Sequence, residues 1–285
     1  MLKNSLTEKL KVMRLQKSSL LATNFYNYET LKGIMVAASE AKQPVILQLT
    51  RSSIDYMGLE IAVSMARTAL REYSVEGWLH LDHGDSYELV KACLEAGFDS
   101  VMIDASEKPF DQNIALTKQV SILAAQYNAN VEAELGYVAK LGQSSTKTGF
   151  TDPGEAKYFV EQTGVHALAV AIGSAHGFYK HEPTLDLERL QEINAVTDAA
   201  LVLHGGSGIP AETLKKAIDR GISKINLATE IKNIFILTLK ESLLKSDEID
   251  LRKVFPHAIT AVSNLVKEKL HIVKNDNFTS GFIMQ

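Results

Sequence analysis

The sequence predicts an α/β fold, a (β/α)8 TIM barrel, and three observations carry the prediction. Short apolar runs alternate with longer runs of helical period eight times along 285 residues. Those apolar runs are continuous rather than alternating, as expected of strands covered on both faces in a parallel sheet. Polar residues stand at the C-terminal ends of the runs, where this architecture builds its sites. The main rival is a doubly wound open sheet. The first strand argues against it, because it leads into Asn24-Phe25-Tyr26-Asn27 with no glycine-rich nucleotide fingerprint. No low-complexity linker divides the chain, so residues 1–285 are read as a single barrel domain with an N-terminal helix and a C-terminal helical extension.

Taken in order, Ser5-Leu6-Thr7-Glu8 reads as a capping box opening the N-terminal helix. The first four strands are expected at Leu20–Asn24, Val45–Leu49, Trp78–Asp82 and Ser100–Asp104. The last four are expected at Asn130–Leu135, Ala167–Ile172, Ala200–His204 and Ser223–Leu227. Helical periodicity fills the intervals at Thr30–Ala41, Leu59–Glu72, Tyr87–Ala96 and Ile114–Tyr127. It continues at Gly154–Thr163, Leu185–Thr197, Ala211–Arg220 and Glu230–Leu244. Pro210 suits a first helical turn, and Gly97, Gly164 and Gly221 suit helix ends. A last helix, about Pro256 to Leu270, makes the C-terminal extension.

Composition narrows the function classes. Apolar residues are 46% and charged residues 22%, with a net charge of −4 spread along the chain. A nucleic-acid binder would show a basic patch or stripe, and none is present. No apolar run reaches the length of a membrane span, and no secretory signal is found. The single cysteine, Cys93, can form no intrachain disulfide and is expected to be a small core residue. A cytoplasmic protein is expected.

Three segments carry the chemistry. In Trp78-Leu79-His80-Leu81-Asp82-His83-Gly84, strand alternation puts His80 and Asp82 on one face, with His83 where the strand runs out. Ala169–Gly177 and Leu201–Gly208 each read as a strand ending in one histidine followed by glycine, at His176 and His204. Three such ends on strands three, six and seven suggest one shared metal site. His80 lies further inside, as either a buried supporting group or a direct participant. His166, His181, His257 and His271 are expected at the surface. Asp104 and Glu134 end strands four and five, and buried carboxylates are costly unless paired or metal-bound. Gly205-Gly206-Ser207-Gly208 and Asn226-Leu227-Ala228-Thr229 lead from strands seven and eight into helices, where backbone N–H groups bind phosphate. Lys224 is the lysine nearest to a strand end, but it lies early in strand eight.

These stretches resemble the class II, metal-dependent ketose-bisphosphate aldolases, the fructose- and tagatose-bisphosphate type. The matching motifs are Leu79–Gly84, Ser100–Asp104, Asn113–Lys118, Val131–Gly136, Ala167–Gly177, Leu201–Pro210 and Lys224–Glu230. The resemblance runs from about Asn24 to the Asp250-Leu251-Arg252-Lys253 region. It implies a barrel enzyme cleaving a phosphorylated ketose to dihydroxyacetone phosphate and glyceraldehyde 3-phosphate, through an enediolate whose charge Zn²⁺ takes up. It makes His83, His176 and His204 the ligands of one zinc ion, and Asp82 the general acid/base. Asp104 and Glu134 would hold metal in an alternative, inward position. Gly177, Gly205, Ser207, Asn226 and Thr229 would cradle the phosphorylated half, with Lys180 nearby and Asn24 touching substrate. A monovalent cation is an optional second ion, and a homodimer or homotetramer is implied.

One departure stands out. Where the family carries a Gly-Gly pair and then Glu-Asp in a loop, this chain reads Tyr137 to Thr148 without an acid, and Gly142 falls about where the glutamate belongs. Ala105 also replaces a usual glycine after Asp104. The alternatives are an aldolase for another phosphorylated sugar or sugar acid, or a catalytically weak phosphosugar-binding relative.

Overall fold

Eight short apolar segments pair side by side and close on themselves. The computed structural model describes residues 5–140, 149–179 and 181–274. The chain runs α1 (Leu6–Leu15), β1 (Leu20–Asn24), α2 (Tyr28–Ala41), β2 (Val45–Leu49), α3 (Arg51–Met57), α4 (Leu59–Glu72) and β3 (Gly77–Gly84). It continues through α5 (Tyr87–Glu95), β4 (Ser100–Ile103), α6 (Phe110–Ala125), β5 (Asn130–Leu135), β6 (Ala139–Lys140), α7 (Pro153–Thr163), β7 (Ala167–Val170) and β8 (Ala175–His176). It ends with α8 (Leu187–Val196), β9 (Ala200–Leu203), α9 (Ala211–Asp219), β10 (Ile222–Leu227), α10 (Thr229–Lys245) and α11 (Leu251–Val273). The closed barrel has the order β1-β2-β3-β4-β5-β7-β9-β10, with β10 returning to β1. Every pairing is parallel. The fold is a (β/α)8 TIM barrel.

Apolar side chains on the outer face of the strands pack against the helices in one continuous core. Inside, the barrel is layered. Its N-terminal end is filled by Leu20, Ile46, Trp78, Ala167, Ala169 and Ala200, and Leu6 and Leu10 of α1 pack onto them. One indole on β3 leaves room opposite for little more than alanine, so large and small side chains share the cross-section. Two residues past Trp78 on the same inner face comes His80, joined by Glu132 of β5 and Lys224 of β10, all buried. Two residues further still come Asp82, Glu134 and Asn226. An apolar plug therefore gives way to polar tiers toward the C-terminal end.

The structure moves several expected boundaries. The histidine at 176 does not end the sixth barrel strand. β7 stops at Val170, and His176 lies in the short β8, which pairs with β6 outside the barrel. The extra helix α3, capped by Thr50, falls in an interval read as connection. α11 begins five residues before Pro256, behind Asp250, whose side chain accepts from the Arg252 N–H at 3.0 Å. Pro256 lies inside that helix, but the exposed carbonyl it leaves unpaired, at residue 252, can be taken by water. Ser5 caps α1 by accepting from the Glu8 N–H at 3.2 Å. Among the described residues, no helix is long and apolar enough to cross a membrane.

Candidate metal centre and active site

A break in the β3–β4 register brings two consecutive residues into the same site. The ladder shifts between Leu81 and Gly84, and His83 adopts φ 51°, a left-handed conformation uncommon for a non-glycine residue. Strict alternation would turn His83 away from the face that Asp82 occupies. The irregularity lets both line one cavity. Such local strain persists only where surrounding contacts hold it. Here the His83 Nδ1 is held by an Asp104 oxygen at 2.7 Å.

Three imidazoles converge there. The ring centroids of His83 lie 5.0 Å from His176 and 4.7 Å from His204, and those of His176 and His204 are 5.7 Å apart. One ligand atom from each, with a Glu134 oxygen, fall within 4.8 Å of one another. His83 Nε2 is buried and has no hydrogen-bond partner. With Nδ1 bound to a carboxylate, that nitrogen is free to present its lone pair, the arrangement in which a second carboxylate orients a metal-binding imidazole. The donor set of three imidazoles and a carboxylate fits a divalent transition metal. Asp104, expected as a carboxylate for an inward metal position, stands outside this group. Its oxygens are taken by His83 and by the Ser106 hydroxyl, which donates at 2.7 Å.

The electrostatics show how much negative charge this pocket concentrates. Burial opposes a charged His204, yet hydrogen bonds to Glu132 and Glu134 outweigh it and push its pKa up to about 10. The two bonds are Nε2 to Glu132 at 3.0 Å and Nδ1 to Glu134 at 2.8 Å. Burial likewise opposes protonation of His83, but the Asp82 charge and the Asp104 hydrogen bond raise its pKa. Burial also works against the Glu132 carboxylate. The Lys224 ammonium at 2.8 Å, with the hydrogen bond from His204, overcomes that and holds it well below the usual carboxylate range. Without a metal, protons on the imidazoles balance the carboxylates.

Asp82 is buried and ionised. Its burial is outweighed by the His83, His204 and Lys224 charges and by a hydrogen bond from Asn24, which together lower its pKa. Asn24 Nδ2 donates to one carboxylate oxygen at 2.9 Å, and Asn226 Nδ2 donates to the other at 3.2 Å. His80 is a supporting group. Burial and the Lys224 charge push its pKa down to about 3, so it is neutral, and its Nδ1 lies 2.7 Å from Ser100 Oγ. Ser100 donates onward to Asn130, and Asn130 to Thr7 of α1. The 3.8 Å approach of His80 to Glu132 is thus not an ion pair.

One cavity is lined by Asn24, Asp82, His83, His176, Gly177, Gly205, Ser207, Asn226 and Thr229, with Ala228. The β9–α9 turn and the start of α10 form one wall. Thr229 is the first residue of α10; its N-cap residue Ala228 supplies no side-chain cap, and the Ser207 hydroxyl accepts from the Glu230 N–H at 3.3 Å. The remaining N–H groups and the dipole of such an end attract anions. Gly205 has φ 67°, and a Cβ there would overlap the Ala175 carbonyl, so glycine is required to bring the end of β9 against β8. The Tyr179 hydroxyl fastens the same junction, donating to the Gly205 carbonyl at 2.9 Å and accepting from the Ala175 N–H at 2.7 Å.

Lys180 and Gly142 lie outside the described residues. His181, His257 and His271 are exposed as expected. His166 is not a plain surface residue. It is half-buried, and its Nδ1 accepts from the Val131 N–H at 3.0 Å. Sequence reasoning gave no site role to Glu132, Gln48 or Tyr179. A charge at Glu132, two residues before Glu134 on the same strand face, was the available signal.

Comparison with known proteins agrees with this geometry. The family model for fructose-bisphosphate aldolase class-II matches residues 4–277. The chain is 40% identical over 255 residues to a fructose-bisphosphate aldolase of Geobacillus stearothermophilus, covering 87% of this chain and 88% of that one. It is 36% identical over 285 residues to the fructose-bisphosphate aldolase of Helicobacter pylori, covering 90% and 93%. Among solved structures, the YdjI aldolase of Escherichia coli K12 superposes with a TM-score of 0.85 at 31% identity, covering 97% of this chain and 99% of that one. A profile match across nearly the whole barrel, with relatives of this identity and coverage, makes the chain an aldolase of the class II fructose-bisphosphate aldolase family.

Proposed function

We propose that this aldolase cleaves a ketose 1,6-bisphosphate, of the fructose or tagatose type, to dihydroxyacetone phosphate and glyceraldehyde 3-phosphate. The observation that carries the reading is the single cavity joining Asp82, the imidazoles of His83 and His176, and the glycine-rich wall at Gly205, Ser207 and Thr229. His83, His176 and His204 would hold one zinc ion, with Glu134 beside them. When bound, zinc supplies Lewis acidity toward the ketone and neighbouring hydroxyl of the substrate.

The protein's own groups do the rest. Breaking the bond next to the ketone leaves an electron pair on that half as an enediolate and turns the distal hydroxyl into an aldehyde. Asp82 takes the proton of that hydroxyl, and the Asn24 and Asn226 amides hold its carboxylate at a fixed angle for the transfer. The α10 N-terminus and the turn through Gly205 and Ser207 anchor phosphate, which fixes the reacting carbons against Asp82. Residues 1–285 are read as one catalytic domain, acting as a cytoplasmic homodimer or homotetramer. The resemblance supports the assembly, and the lone buried Cys93 the compartment.

A panel of phosphorylated ketoses, assayed with and without chelator, tests the reading. Chelator-sensitive cleavage of fructose or tagatose 1,6-bisphosphate is expected. Cleavage confined to another phosphorylated sugar or sugar acid would favour a second reading, which the missing acid at Gly142 supports.

A further inference from the structure

A fully buried lysine lies beneath this site, on β10 two residues before Asn226. Lys224 donates to Glu132 at 2.8 Å, and both side chains are about 1% exposed. A buried ion pair is weak support for stability, since apolar residues of equal volume commonly do as well. Its place matters more. Glu132 uses its other oxygen to accept from His204 Nε2 at 3.0 Å. Glu134, not Glu132, belongs with the three imidazoles, so Nδ1 is the nitrogen of His204 turned to that group.

Lys224 has a second arm. With its amide oxygen turned to Lys224, Gln48 donates to the Ala22 carbonyl and accepts from both Lys224 Nζ and Asn226 Nδ2, each at 3.2 Å, whereas in the opposite orientation its Nε2 donates directly to Asp82 at 3.3 Å. Asn226 spends its remaining N–H on Asp82, also at 3.2 Å. A buried chain therefore runs His204–Glu132–Lys224–Gln48 and reaches Asp82 from Gln48, through Asn226 or directly. We propose that Lys224 is a positioning residue for both halves of the site: through Glu132 it fixes the ring of His204 toward the metal, and through Gln48 and Asn226 it fixes the carboxylate of Asp82. The inference rests on the metal-dependent reading above.

The arms separate experimentally in the full-length protein. Co²⁺ is titrated into metal-free protein, and its visible spectrum reports ligand geometry without any substrate. Glu132→Gln is expected to weaken Co²⁺ binding by roughly 10- to 100-fold and to alter the spectrum, the scale known for groups that orient metal-bound histidines. Gln48→Leu is expected to leave Co²⁺ affinity and spectrum at parental values while lowering kcat, by up to roughly 100-fold, at unchanged KM. Lys224→Met should show both defects. Parental Co²⁺ affinity and spectrum in Glu132→Gln would overturn the first arm, and parental kcat in Gln48→Leu the second. If Lys224→Met does not fold, those two variants still decide the matter. A parent protein that cleaves no ketose bisphosphate would defeat the proposed function, yet the Co²⁺ titrations would still test the His204 arm.

Discussion

Asp82 and His83 are neighbours in sequence with different neighbours in space. Asp82 is gripped by two amides and stays ionised, while His83 is aimed by Asp104. Replacing Asp82 by Ala removes the proposed proton acceptor but none of the imidazoles. Turnover is expected to fall by about 10²-fold or more with metal content unchanged, as measured by steady-state kinetics beside metal analysis. His204 gives a pH signature. Its pKa is about 10 in the folded, metal-free protein against an ordinary 6.5. A raised pKa stabilises the fold fully below the unfolded value, and that contribution is lost as pH rises through the folded value. Glu132, Asp82 and Asp104 are depressed and stay ionised throughout that window, so they add no opposing slope. The thermal midpoint of metal-free protein should therefore fall between about pH 6.5 and 10, and fall less when metal holds the imidazoles instead of protons. A flat profile for the metal-free protein would contradict the doubly bonded imidazolium.

At the scale of elements, the barrel is stoppered at one end and reactive at the other. α1 contributes Leu6 and Leu10 to the interior layer around Trp78. Leu10→Ala should cost about 2–5 kcal/mol in denaturant unfolding while leaving KM unchanged, because the cavity it opens is at the far end from Asp82. The strand pattern made the barrel legible: all eight apolar runs, and the helix ends marked by Gly97, Gly164 and Gly221, could be placed without coordinates. β1, β2 and β5 match the sequence reading residue for residue. What escaped it depended on partners far along the chain. β8 exists only because β6 pairs with it, and Glu132 is tolerated only because Lys224, 92 positions later, neutralises it. The bulge at His83 was likewise hidden, since nothing in His83-Gly84 states that the β4 ladder slips there.

Across the whole molecule, function is graded along the barrel axis, from apolar plug through buried Lys224 and Glu132 to the imidazoles and the anion-attracting α10 terminus. Apart from His176, which lies in β8, the candidate residues were readable near strand ends because this architecture sends them all to one mouth. Their mutual geometry was not, because it is set by carboxylates on β4 and β5 that the histidine motifs do not mention. If the site works as proposed, carbon–carbon cleavage needs a single metal held by these imidazoles. The direct measurement is cleavage of fructose and tagatose 1,6-bisphosphate by protein stripped with chelator and then titrated with Zn²⁺. Activity should vanish on stripping and return in proportion to zinc, reaching its plateau at one ion per chain. Cleavage that persists undiminished in the stripped protein would contradict the account.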